Sequence, residues 1–341
     1  MGGWHRLKQR ALTLAQPLSA YLELTYRCNW RCVFCYNPRH SDLRGLRLEE
    51  WTEVLDDLRE LGTLSVTITG GEPLAHPEFV AIARAARARH FTLRVFTNGT
   101  LVTDEMADAI AELQPLAVEM SLHGANAETH EKATRAPGSF AAMFRGLERL
   151  QQRAVPLALK SLITRLNEHE LDGMIALAER WGVSHQLDAT VTPRDDGDLS
   201  PLEYRASTAA VTRMYRRTAE QGNLPEAGRE AGAVNCGLGR ITVAVDPEGD
   251  VFPCLQWRRS SLGNVRHTRL RDLWRGSSVR EEAAAVSLAA NEAIRARGGA
   301  VASFPFCPAL AAQHTGDPLT PDESHVVQAG IVARVRAEPA R

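Results

Sequence analysis

Between residues 18 and 193, short apolar runs alternate with amphipathic ones, and this alternation limits the fold more than any other feature. Leu18–Tyr26, Leu64–Thr69, Leu93–Thr97, Ala117–Leu122, Leu157–Thr164 and His185–Thr192 read as strands, the last stopped by Pro193. Between them, Leu48–Leu61 carries Leu48, Trp51, Leu55, Leu58 and Leu61 at helical spacing. Pro77–Arg89, Thr103–Leu113, Phe140–Arg153 and Leu171–Trp181 also read as helices, with Thr103 a good N-cap and Gly182 a stop. Regular β–α alternation predicts an α/β fold, a parallel sheet with helices outside. Six units are too few for a closed eight-stranded barrel, so an open, partial barrel and a doubly wound sheet both fit. In either, ligands collect at the C-terminal ends of the strands.

Past this region the texture changes. Arg194–Ser200 is a polar linker, Pro201–Gly222 is helical, and Asn223–Gly232 is loop-like. Arg240–Val245 and Val251–Cys254 flank Asp246-Pro-Glu-Gly-Asp250, a hairpin turn. Helices are expected at Leu270–Trp274, Ser278–Arg297 and Asp322–Arg336. The expected division is an N-terminal extension (1–17), a core (18–195), a linker with a helix (196–234), a small α+β domain containing the hairpin (235–320) and a C-terminal helix (321–341). Lys plus Arg number 40 against 41 Asp plus Glu. That balance argues against nucleic acid as a partner, because such affinity rests on neutralising phosphates. No apolar run reaches the roughly 18 residues of a membrane span. The N-terminus lacks the apolar stretch of a signal peptide. A cytoplasmic protein with reduced thiols is therefore the expectation.

Three of the six cysteines crowd into eight residues, as Cys28-x3-Cys32-x2-Cys35, just after the first strand. Thiolates gathered on one loop suit zinc or an iron–sulfur cluster. Zinc usually takes four protein ligands, and the nearby fourth candidate is His40. A four-iron cluster held by three cysteines would keep one iron open. Phe34 precedes the last cysteine, and Gly70-Gly71-Glu72-Pro73 ends the second strand. The glycines let a ligand approach the backbone, and Glu72 offers a carboxylate to an amine.

This combination resembles the radical S-adenosylmethionine (SAM) superfamily over residues 18–195. The resemblance implies a partial (β/α)6 barrel and a [4Fe-4S] cluster on Cys28, Cys32 and Cys35. It implies that SAM chelates the open iron, and that Gly70, Gly71, Glu72 and Pro73 bind its methionine amino group. Ser121 matches the family's fourth-strand serine near the ribose, while His123 stands where aspartate is usual. Asn98 after the third strand, Lys160 on the fifth, Asn167 and Arg194 are further candidates for that site. The implied chemistry is reductive cleavage of SAM to a 5′-deoxyadenosyl radical that abstracts hydrogen from substrate, with a flavodoxin- or ferredoxin-type electron donor. No catalytic acid, base or hydrogen donor stands out in the sequence.

The late cysteines form a second pattern, Cys236-x12-Gly249-x4-Cys254, followed by Gly263-Asn264-Val265, Leu270-x3-Trp274 and Cys307. This is similar to the auxiliary-cluster domain called SPASM, or its shortened form, Twitch. The hairpin would bring two distant thiolates together. Three cysteines suffice for one auxiliary iron–sulfur cluster, with a fourth position empty, taken by substrate, or filled by a residue such as His314. The alternative is that Cys236, Cys254 and Cys307 are buried hydrophobes. Related enzymes modify ribosomally made peptides or oxidise small molecules. A precursor peptide is the favoured substrate and a small biosynthetic intermediate the alternative. With 17 residues ahead of the first strand, a peptide would need a separate leader-binding protein or direct leader contact. A non-catalytic metal scaffold is the remote third reading.

Overall fold

The computed structural model describes residues 2–42, 44–226 and 229–338. Strands β1 (Ser19–Glu23), β2 (Ser65–Thr69), β3 (Thr92–Thr97), β4 (Ala117–Ser121), β5 (Leu157–Leu162) and β6 (Ser184–Asp188) run parallel. Each pairs with the next in sequence. That order decides between the two architectures. A doubly wound sheet reverses its winding at a switch point and carries helices on both faces. Here the winding never reverses, so right-handed crossovers place the helices along one side, as in a barrel. The barrel is open, because β1 pairs onward with β7 (Thr242–Val245) and not with β6.

Strand β7 turns antiparallel into β8 (Asp250–Phe252), which pairs with β9 (Gly263–Asn264). The sheet thus runs unbroken from the barrel into the cysteine-bearing hairpin. Asp246 shapes the turn: its Oδ1 accepts from the amides of Glu248 and Asp250 at 2.9 and 2.8 Å. Its Oδ2 accepts from the Tyr26 hydroxyl at 2.8 Å, joining the hairpin to the loop after β1.

The core lies between sheet and helices. Helix Leu48–Glu60 buries Trp51, Val54, Leu55 and Leu58, and β2 contributes Val66 and Ile68, both fully enclosed. Strand β1 stops at Glu23, three residues short of its apolar run. From there the chain bends over the end of β2, where Thr69 O accepts from Leu24 N at 3.0 Å.

Helices Gly3–Leu14, Ala127–Thr134, Gly299–Ala302 and Pro308–Thr315 lie outside the sequence expectation. Ala127–Thr134 buries Thr129, His130, Ala133 and Thr134, so it shows no apolar stripe to read. Among the described residues, no helix is long and apolar enough to cross a membrane.

Candidate functional site

A cavity of about 390 Å³ opens at the C-terminal ends of the barrel strands. Cys28, Cys32, Phe34, Cys35, Gly70, Gly71, Asn98, Ser121 and Lys160 all line it. These residues run from 28 to 160 in the sequence, and the parallel strand order gathers them because every β–α turn falls at the same end.

The cysteine loop is fixed from outside. Arg31 N and Val33 N donate to the carbonyls of Thr134 and Ala133 at 2.9 and 3.0 Å. Helix Ala127–Thr134 is thus the loop's clamp. The Cys28 sulfur accepts from Trp30 N at 3.3 Å and from Asn98 Nδ2 at 3.9 Å. Burial pushes the Cys28 thiol up to about 11, and Cys32 and Cys35 also rise, chiefly by burial. Such thiols stay protonated at neutral pH until a metal displaces the proton. Trp30, Phe34 and His123 pack beside them, with ring centroids 4.8 Å apart for Phe34 and His123. Among the described residues, no three His, Cys, Asp or Glu side chains converge tightly enough for a single metal ion, as zinc requires. His40 does not line the cavity. Soft thiolates in an apolar, aromatic shell fit an iron–sulfur cluster.

The Gly-Gly-Glu-Pro segment corrects the sequence reading. A Cβ on Gly70 would stand 2.5 Å from Thr25 O, and one on Gly71 would stand 2.4 Å from Arg27 O. The glycines admit the cysteine loop's backbone as well as facing the cavity. The Glu72 carboxylate does not reach the cavity, nor does Pro73. Glu72 is fully buried and accepts from Leu74 N (3.0 Å), Thr97 Oγ1 (2.6 Å) and Asn98 N (2.7 Å). It pins β3 to β2. Burial raises its carboxyl to about 7, against the pull of those donors.

Glu72→Gln turns an N–H₂ toward a donor and is expected to cost about 1–3 kcal/mol, read as a lower denaturant midpoint. Glu72's stabilising contribution is fully present below the unfolded carboxyl value of about 4.3 and is lost as pH rises through about 7. The variant should lack that part of the pH slope.

Lys160 lies beside a residue the sequence reading missed. Glu119 on β4 is buried, lines the cavity, and pairs with Lys160 Nζ at 2.5 Å and with Arg94. Lys160 Nζ also sits 3.8 Å from the Phe96 ring centroid. The available signal was a charge in the middle of an apolar strand. His123 lines the cavity with Nδ1 buried and unpartnered, and burial with the neighbouring His130 holds it neutral, down to about 3. Asn167 and Arg194 lie off the cavity. Asn167 donates to the carbonyls of His123 and Leu162, and Arg194 pairs with Asp198.

Cys236, Cys254 and Cys307 come together around Leu238, Trp257, Ala283 and Ala309. All six cysteines are free thiols. Burial pushes Cys307 up to about 12, and Cys254 rises for the same reason. Three soft donors in an apolar shell fit one cluster. His314 pairs with Asp322 and approaches Arg205 Nη2 at 3.4 Å.

His314 lines a second cavity of about 330 Å³ with Cys307, His325, Tyr215 and Phe304. Asp188, Thr190 and Leu310 line both cavities, so the two adjoin.

A model of the radical SAM superfamily matches residues 22–178, and one of the SPASM iron–sulfur cluster-binding domain matches residues 236–299. The mycofactocin maturase MftC of Mycobacterium ulcerans is 31% identical over 256 residues, covering 71% of this chain and 69% of its own. The AdoMet-dependent heme synthase of Methanosarcina barkeri is 28% identical, covering 79% of this chain and 85% of its own. The crystal structure of Streptococcus suis SuiB bound to precursor peptide SuiA superposes with a TM-score of 0.66 at 14% identity. That match covers 81% of this chain and 68% of SuiB and speaks to the fold alone.

Proposed function

The chain belongs to the radical SAM superfamily, and from that premise we propose that it modifies a ribosomally made precursor peptide. The observation that carries the site assignment is the gathering of Cys28, Cys32, Cys35, Gly70, Gly71, Asn98, Ser121 and Lys160 on one cavity. We assign the cluster to the three early thiols and SAM to the adjoining floor. When bound, the reduced cluster and SAM supply a 5′-deoxyadenosyl radical that abstracts hydrogen from substrate.

The protein's own part is positioning and water exclusion. Gly70 and Gly71 keep the strand end low. Asn98 and Ser121 offer hydrogen bonds at the ends of β3 and β4. Lys160, held by Glu119, directs a cation along the wall. Trp30, Phe34 and His123 shield the thiols, which protects a reactive radical from solvent.

A cavity of about 390 Å³ is at the small end for ligand sites, enough for one cofactor-sized molecule. The substrate is therefore assigned to the adjoining cavity. It lies between the cofactor cavity and Cys307, so it fits a side chain carried on a peptide. Ser324 lines that second cavity only. Ser324→Trp is expected to cut product formation at least about tenfold more than it cuts substrate-free SAM cleavage.

Peptide maturation is supported by the maturase likeness. The heme synthase, matched over more of its length, supports a second reading, a small biosynthetic intermediate. Incubating the reduced, reconstituted protein with SAM and candidate precursor peptides encoded near its gene separates them. A mass change in the peptide with 5′-deoxyadenosine formed supports maturation. 5′-Deoxyadenosine formed with no peptide change across such candidates favours the small molecule. A flavodoxin- or ferredoxin-type donor and a separate leader-binding protein complete the proposed set of partners.

A further inference from the structure

We infer that Arg258 is a positioning residue that ties the late thiol centre to the early one by holding Tyr36 in place. Arg258 lies four residues after Cys254 and directly follows Trp257, which packs among the late thiols. Its side chain reaches the end of β1. There it is buried, 8% exposed, and pairs with Glu23, 1% exposed, at the end of β1. Its Nε stands 3.8 Å from Asp195 Oδ2, and its guanidinium lies 4.6 Å from the Phe252 ring centroid.

Both carboxylate-bearing residues hold Tyr36. Glu23 Oε1 accepts from the Tyr36 hydroxyl at 3.2 Å. The Asp195 amide donates to the Tyr36 carbonyl at 2.9 Å. Tyr36 is the residue after Cys35 and itself lines the SAM cavity. The residue following the third early thiol is therefore gripped at its side chain and its backbone. The grip closes only while one guanidinium neutralises the buried Glu23 and the partly buried Asp195.

Without that cation, Glu23 becomes an uncompensated buried charge beside the partly buried Asp195, a strongly unfavourable arrangement. They would separate or draw in water, and either change releases Tyr36. The same five-residue stretch sends Gln256 to the cavity wall, with Gln313 Nε2 donating to its carbonyl at 3.0 Å. Residues 254–258 thus carry one late thiol, one wall of the early cavity and the cation of the clamp. Folding the late centre sets the register of this stretch, and with it the early loop.

This inference rests on the reading that Cys28, Cys32 and Cys35 hold the SAM-binding cluster. The test compares the full-length, anaerobically reconstituted protein with Arg258→Met and Arg258→Lys. SAM is titrated against the reduced protein, and the shift of the early cluster's electron paramagnetic resonance signal is followed, with iron counted per chain. Arg258→Met should raise the SAM Kd at least about tenfold while the late centre keeps its iron and signal. Arg258→Lys should return Kd to within about threefold, since it restores the cation without the planar fork. A Met variant with wild-type SAM affinity and signal overturns the inference, as does a defect that Lys leaves untouched.

If Arg258→Met does not fold, the comparison moves to Arg258→Met/Glu23→Gln/Asp195→Asn, which leaves no buried charge unpaired. A SAM Kd within about threefold of wild type is expected there, because the side-chain amide at 23 still accepts from the Tyr36 hydroxyl and no charge forces the clamp apart, and a rise of about tenfold overturns the inference. Absence of any SAM-dependent shift in the wild-type protein would instead defeat the SAM reading itself.

Discussion

Cys32→Ala is expected to abolish SAM cleavage, lowering 5′-deoxyadenosine formation by at least about a thousandfold, because the electron reaches SAM only through the cluster. Burial holds the Cys32 thiol well above the usual thiol range. Such a group is a poor free thiolate, so its value to the protein lies in a metal bond that displaces its proton. Alanine leaves two thiols for a cluster that needs three. Iron should fall from about eight to about four per chain if each centre holds a four-iron cluster. Cys254→Ala should produce the complementary result, losing the late iron while leaving measurable SAM cleavage. Wild-type protein that binds only about four irons would sink the auxiliary cluster. A Cys32→Ala variant that still forms 5′-deoxyadenosine would sink the assignment of the early one.

The two mutants also separate what was legible in the sequence from what was not. Cys28, Cys32 and Cys35 could be read together because eight residues of chain hold them on one loop. Gly70 and Gly71 were legible because their place at a strand end predicts close backbone approach, although the approaching group includes the cysteine loop itself. Partial barrel and doubly wound sheet share one alternation pattern, so only the pairing order could distinguish them. The three donors to Glu72 come from Leu74, Thr97 and Asn98, in part on the next strand, so the motif shows the carboxylate but not what it ties together. Glu119 and Glu23 were overlooked, each a lone charge within an apolar run. Their partners Lys160 and Arg258 lie 41 and 235 residues away (160 − 119 and 258 − 23), beyond any local periodicity. His314 shares a cavity with Cys307, and its partner Asp322, at the foot of the last helix, is not legible from their spacing in sequence. Local spacing thus identifies groups that share a loop, while the charges that position them come from pairings that only the tertiary fold creates.

Gly71→Ala carries the second largest expected effect, and it tests how the cysteine loop is held. Gly71 has no positive φ, so alanine meets no backbone strain there. It does meet atoms: its Cβ would lie 2.4 Å from Arg27 O and 2.6 Å from Tyr26 O. Both are main-chain carbonyls, unable to swing aside as a side chain can. They are also locked by the contacts that define the site, with Gly71 N donating to Thr25 O at 2.7 Å and Glu72 N to Arg27 O at 2.8 Å. Relief therefore requires residues 25–27 to move, and Cys28 follows directly. Overpacking of this kind costs about 1–3 kcal/mol. A displacement of about 1 Å at a reacting centre can cost a further hundredfold in rate. Gly71→Ala should thus lower the denaturant midpoint modestly but lose early-cluster iron and at least about a hundredfold in SAM cleavage. Gly138→Ala is the control, since it has φ +77 with open space around its Cβ position. It should cost about 1 kcal/mol through backbone strain alone and leave cluster content intact. If the two variants lose stability equally and both keep full iron, the glycine at 71 serves only chain flexibility, and the close packing of loop against strand is not what holds Cys28 in place.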